Sequence, residues 1–380
     1  MRYNSVPKEA FAAPAVAHAR ARRGTCSRPP WHMPAFACRL ALRAAWRIHV
    51  ERCRYAPANE RALVPSISAH LKRSFTVADI ELRFHKDMLV LSAPVAFALE
   101  RQGVNMQEDG ELVMLMEPET VQDALRMEAM TGAQCLVAAT EGICEARLAH
   151  NRMEDRAQEI ALRALEGAWA CKPQHLICEI GSCGLPLDPS SESSRAQTEQ
   201  QYENAVQALN GASQELDLGM CDAVLLNALR SVADAECAIN AARRKTDRPV
   251  FASVDLDEDG LFAGKDVEDI VSALDRADVV GLSCAAEAAT IAKVVRRFAS
   301  LTEKPLLVQI RVKAATAMEK KRATLGVSIP GNPYATPDSL ADAALTLRAA
   351  GAQFLRVVGE VTPACTGALA VAVSGADCLR

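Results

Sequence analysis

The chain has 380 residues, of which 50% are hydrophobic and 24% charged, with a net charge of −4. That is enough apolar material for a sizeable core, and the near balance of charge excludes a nucleic-acid footprint spread over the whole chain. No run of about 20 apolar residues is present, so no membrane-spanning helix is expected.

Composition changes sharply near residue 75. Residues 1–73 are rich in Arg, Ala and Pro, hold few acids, and contain Trp31 and Trp46. Only 36–50 is periodic enough for a short helix. Three readings stay open: a disordered basic extension, a transit-like peptide, and a translation start further along, for instance at Met88. The domain reading is therefore an extension over 1–73 and a folded domain over 74–380. The 13 cysteines are scattered and no export signal precedes them, which predicts a cytoplasmic protein with reduced thiols. Cys135, Cys178 and Cys221 lie in apolar runs and are expected to fill core space.

From Met88 onward, strand and helix alternate. The predicted strands are 89–91, 134–138, 175–180, 223–226, 250–254, 279–282, 306–310 and 354–358. Most are short and continuously apolar, as strands covered on both faces of a parallel sheet are. The predicted helices are 118–131, 154–171, 198–218, 231–244, 265–276, 287–300, 337–350 and 364–373. Thr336 followed by Pro337 is a cap signature with Pro at the first helical position. Strand and helix alternating eight times predict a (β/α)8 TIM barrel. An open doubly wound sheet is the runner-up. No glycine-rich phosphate loop follows the first strand, and Gly-Ser-Cys-Gly at 181–184 comes after the third.

A barrel builds its site at the C-terminal ends of its strands. The residues to inspect are therefore Glu141 after strand 2, Cys183 after strand 3, Asn227 after strand 4, Asp255 after strand 5, Cys284 after strand 6, and Glu360 after strand 8. Asp255 to Asp259, then Gly260 and Asp266, has the spacing of a calcium loop. Because strand 250–254 precedes it, an acidic turn capping the next helix is the expectation. Lys320-Lys321-Arg322 reads as a solvated basic face. His85, His150 and His175 read as ordinary surface or strand-start residues.

The run Val279 to Cys284 resembles the sixth strand of the homocysteine S-methyltransferases, which ends in the first of three zinc-binding cysteines. Further matches lie in register over about 88–373. They are Gly132-Ala133-Gln134-Cys135, the loop Glu179 to Gly184, Tyr202, Asp259-Gly260 with Gly264, Thr336-Pro337, Gly351 and Thr362-Pro363. The resemblance implies methyl transfer to a thiol from a methylated corrinoid, sulfonium or ammonium donor. It also implies zinc, or a corrinoid brought by a partner protein, in a site that binds a small molecule. Zinc bound by three thiolates activates the acceptor thiol by coordinating it in the fourth position.

Departures from the pattern are equally specific. The family's glycine-flanked cysteine pair, followed by Thr-Thr-Pro, becomes Val357 to Pro363 with no cysteine. The Thr-Asn-Thr-Phe after strand 2 becomes Ala138-Ala139-Thr140-Glu141, and the Glu-Thr after strand 4 becomes Asn227-Ala228. One family ligand, Cys284, remains. Cys183, Cys365 and Glu360 are the co-ligands a relocated zinc site would use. Asn227, Asp255 and Glu141 are the candidate substrate-binding residues. A divergent methyltransferase and a non-catalytic barrel that binds a small molecule or a corrinoid protein both stay open.

Overall fold

The computed structural model describes residues 79–377, apart from 107, 218, 258, 263, 315, 317, 319, 320, 322–332 and 335. The extension over 1–73, its helix at 36–50, Lys320 and Arg322 lie outside the described residues. The chain divides into two units between Phe75 and Thr76, and the barrel belongs to the second.

Eight parallel strands form one sheet in the order β1-β8-β7-β6-β5-β4-β3-β2. They are β1 (Leu89–Val90), β2 (Cys135–Ala138), β3 (His175–Ile180), β4 (Ala223–Leu229), β5 (Val250–Asp255), β6 (Val279–Cys284), β7 (Leu306–Val312) and β8 (Phe354–Gly359). The ring closes between the two outer strands through a parallel bridge, Leu91 to Cys135, and the Ser92 amide donates to the Cys135 carbonyl at 2.8 Å. The fold is thus a TIM barrel, as the alternation predicts. Several strands run one to three residues past the expected ends, because ladder hydrogen bonds join backbones and do not stop at the first polar side chain. In β4 the extension carries a register shift between Leu226 and Leu229, with Ala228 at φ +52°.

The major outer helices are α3 (Pro118–Ala129), α5 (Ala157–Ala170), α6 (Glu192–Leu216), α7 (Val232–Lys245), α8 (Val267–Ala273), α9 (Ala288–Leu301), α10 (Pro337–Ala350) and α11 (Pro363–Asp377). Capping chemistry sets their starts. Ser191, Ser231, Asp266 and Thr336 each accept a hydrogen bond from the amide three residues on. Asp266 therefore caps α8, and Asp257 accepts from the amides of Asp259 and Leu261, so these two acids of the calcium-like loop are engaged by backbone. Short helices α1 (Ala96–Glu100), α2 (Gly110–Met116) and α4 (Glu145–Leu148) were not expected. None has a side-chain cap, so none leaves a sequence signature.

The N-terminal end of the barrel is sealed by the 3₁₀ turn Ile80–Arg83. Ile80 is fully buried among Leu89, Ile177, Leu225, Val279 and Leu307. Phe84 meets Phe251 and Phe354 edge to face at 6.1 and 5.8 Å, and these two rings lie 4.9 Å apart.

His175 is a strand-start residue, buried at the start of β3. Its Nε2 lies 3.4 Å from the Arg83 guanidinium, and its Nδ1 has no hydrogen-bond partner. Burial pushes its pKa below the ordinary value; Asp222 and Asp79 oppose this, and Arg83 reinforces it. The unfolded chain therefore takes up the proton first, and stability falls as pH drops below about 6.5. The expected result is a chemical-denaturation midpoint that falls more steeply between about pH 7 and pH 5 in the wild type than in His175→Gln. Comparing the two cancels the contributions of the buried carboxylates.

Candidate active site

Side chains two apart on a strand share a face. The lowest inward layer is apolar, with Ile177, Leu225, Phe251, Val279, Leu307 and Phe354. Two residues on, the next layer is polar, holding Glu179, Asn227, Ser253, Gln309 and Arg356. Arg356 is fully buried and pairs with Glu179 through two parallel bonds, Nη1 to Oε1 at 3.0 Å and Nη2 to Oε2 at 2.7 Å. Its Nε donates to the Ser92 carbonyl at 3.0 Å, and Nη1 also reaches Gln309 Oε1 at 3.3 Å. Gln309 Nε2 donates to Asn227 Oδ1 at 2.8 Å and to Ser253 Oγ at 2.7 Å, and Asn227 Nδ2 donates to Glu179 Oε1 at 2.5 Å. Asn227 is therefore a barrel-interior residue within β4. Gly281 makes room, since a Cβ there would meet Ser253 Cβ at 2.8 Å.

One step higher, Arg311 Nη2 pairs with Asp255 at 2.5 Å and bonds Ser283 Oγ at 3.0 Å. Cys284 is on the other face of β6 from Ser283. Its thiol donates to the Asp257 carbonyl at 3.3 Å and accepts from the Ala286 amide at 3.4 Å. Burial pushes that thiol's pKa up.

On the β1–β3 side of the mouth lies a cavity of about 510 Å³. Its floor reaches Glu179 and Arg356. Its apolar wall includes Leu99, Met106, Met114 and Ile143, and Glu111, Glu141, Arg147 and His150 complete its charged and titratable lining. Arg147 sits between the two glutamates, 3.6 Å from Glu111 and 3.5 Å from Glu141. Enclosure by the cavity walls, then the nearby charge of Glu179, raises the pKa of Glu141, while Arg147 and Arg356 pull it down. Two glycines leave room for these acids. A Cβ at Gly181 would meet Glu141 Cγ at 2.8 Å, and one at Gly142 would overlap the Glu111 carboxylate.

Counting back from Thr362-Pro363, the family's cysteine pair falls on Val358 and Gly359. Gly359 has φ +92°, and a Cβ there would stand 2.4 Å from the Val312 carbonyl oxygen. No cysteine fits that backbone. The relocated set does not converge either. Cys183 is buried beside Tyr202, whose hydroxyl accepts from the Cys183 amide, while Cys365 lies in the first turn of α11 against Thr362. The Glu360 amide is 3.3 Å from the Val312 carbonyl. Among the described residues, no three His, Cys, Asp or Glu side chains are grouped to hold a metal ion. The residues present do not fit the three-thiolate zinc that the resemblance implies.

A homocysteine S-methyltransferase family model matches residues 89–367. The chain belongs to that family. Solved relatives agree on the fold. The metallated form of the homocysteine methyltransferase MmuM from Escherichia coli superposes with a TM-score of 0.59 at 19% identity, covering 76% of this chain and 96% of that one. The oxidised form gives 0.59 at 18%, with coverage of 75% and 96%. No curated protein matches the chain in sequence. Within this homocysteine S-methyltransferase barrel, Glu141 lines the cavity, whereas Asn227 and Asp255 belong to the network and ion pair beside it. His150 is on the cavity rim, and His85 bonds Gln353 at the opposite end of the barrel.

The sequence reading missed Glu179, Ser253, Gln309, Arg356 and Arg147. A signal for the first four was present: each is a polar residue two positions after an apolar inward residue of its strand, at the same inward step. Arg356→Met should leave the Glu179 carboxylate buried without its partner and cost about 3–5 kcal/mol in denaturant unfolding. Arg356→Met with Glu179→Gln should recover a large part of that loss.

Proposed function

We propose that this barrel transfers a methyl group from a small onium donor, a methylsulfonium or methylammonium compound, to a thiol acceptor of the homocysteine type, without a three-thiolate zinc. The cavity at the ends of β1–β3 carries the reading. Glu111, Glu141 and Glu179 face two guanidinium groups there, those of Arg147 and Arg356, and an apolar wall containing Met106 and Met114. Carboxylates in excess favour a cationic ligand, and a weakly hydrated onium methyl packs readily against polarisable thioethers.

The environment also suits the reaction. As the thiol sulfur attacks the methyl carbon, a sulfur–carbon bond forms and the donor's carbon–sulfur or carbon–nitrogen bond breaks. The donor's positive charge disappears with the leaving sulfide or amine. Attack of an anion on a cation disperses charge, and a recessed, partly apolar cavity favours that loss more than bulk water does. Arg147 would hold the acceptor's negative charge, while the buried Arg356–Glu179 pair keeps the floor rigid.

The ungrouped metal ligands favour a second reading, a barrel that binds a small molecule or a corrinoid protein without catalysis. One assay separates them. Purified protein, stripped with a chelator, is given homocysteine and either the methylsulfonium derivative of methionine or trimethylammonioacetate, and methionine is measured by mass spectrometry. The expected outcome is turnover that added zinc does not increase and that Cys284→Ser retains. Turnover that requires zinc, or is lost in Cys284→Ser, would refute the zinc-free reading. Onium binding by calorimetry without methionine formation would favour the non-catalytic one.

A further inference from the structure

We infer that Glu141 is the base that removes the proton from the acceptor thiol, replacing the activation that the missing thiolates would have supplied; this rests on the methyl-transfer reading above. Three observations converge on that residue. Glu141 opens into the cavity, with 43% of its side chain exposed there, rather than being locked in the interior network. Its neighbour Arg147, 3.5 Å away and 35% exposed, is placed to stabilise a thiolate as it forms. The backbone is built around the pair: the Gly181 amide donates to the Glu141 carbonyl at 2.9 Å, and a Cβ on Gly181 would press on Glu141 Cγ at 2.8 Å and Arg147 Nη1 at 3.0 Å.

Proton and electrons balance. The thiol proton passes to a Glu141 oxygen, the sulfur's electron pair forms the new bond to the methyl carbon, and the pair of the broken bond leaves with the neutral sulfide or amine. Glu141 then returns the proton to water. The groups facing Glu141 are Glu179 from β3, Arg147 from α4, Arg356 from β8, and Glu111 of α2 across Arg147, with His150 on the cavity rim. Enclosure by the cavity walls and the Glu179 charge raise the Glu141 pKa, which makes it a stronger base than a free carboxylate. A base acts only when ionised, so activity is present above that pKa and falls as pH drops through it.

The test uses the full chain with homocysteine and the onium donor that turns over. Glu141→Gln should lower kcat roughly 10²–10⁴-fold. Its pH–rate profile should lose the limb set by the carboxylate and follow the thiol's own ionisation near about pH 8.5. Glu141→Ala should recover turnover with added formate, which a purely structural role would not permit, and an unchanged unfolding midpoint confirms that the variants fold. Wild-type turnover with an unaltered rate and pH profile in Glu141→Gln would overturn the inference alone. A wild type that methylates no thiol with either donor would overturn the methyl-transfer reading and this inference with it.

Discussion

A full positive charge at the centre of a barrel is the constraint from which the rest of this mouth follows. Arg356 is fully buried on β8, where an unpaired guanidinium would be prohibitive. Glu179 on β3 meets it with two parallel bonds across the ring. The remaining lone pairs and donors then demand Gln309, Asn227, Ser253 and the Ser92 carbonyl. Strands far apart in sequence are tied into one polar layer by groups that cannot be satisfied separately. Below that layer, Phe84, Phe251 and Phe354 close the barrel with apolar packing.

The polar layer divides the mouth. On the β5–β7 side, Arg311 is held by Asp255 and Ser283, and the Cys284 thiol is engaged by backbone groups. On the β1–β3 side the chain opens into the cavity. The resemblance implies zinc at the ends of the sixth and eighth strands, but at the eighth the chain passes through Gly359 in a conformation with no room for a side chain. The difference from the family pattern is therefore more than two residue names. The backbone itself is set against the ligand, and the charged groups have gathered elsewhere.

Glu128 shows the same economy at a smaller scale. It is buried, accepts from the Ala93 amide and the Thr366 hydroxyl, and so ties the end of β1 to α3 and α11. Burial raises its pKa against those hydrogen bonds. Tyr202, buried on α6, bonds Asp234 of α7 at 2.8 Å and fixes the loop that carries Cys183. These residues hold loops in place, and their conformation decides which side chains reach the cavity.

By itself the sequence determined the architecture. Continuous apolar runs of strand length alternate with amphipathic stretches and cap signals, and together they specify strands covered on both faces and helices outside them. Thr336-Pro337 and Asp266 mark helix starts through local bonds that any reader of the chain can count. Candidate site residues were legible only as far as strand ends could be placed, which brought Glu141, Asn227, Asp255 and Cys284 to one end of the barrel. The partners were not legible. Arg356 and Glu179 are 177 residues apart, and Arg147 meets Glu111 and Glu141 through short helices that have no capping signature. Which charges neutralise one another, which carboxylate faces open space, and whether a cysteine fits at position 359 depend on distances across the ring. Only closure of the barrel sets those distances.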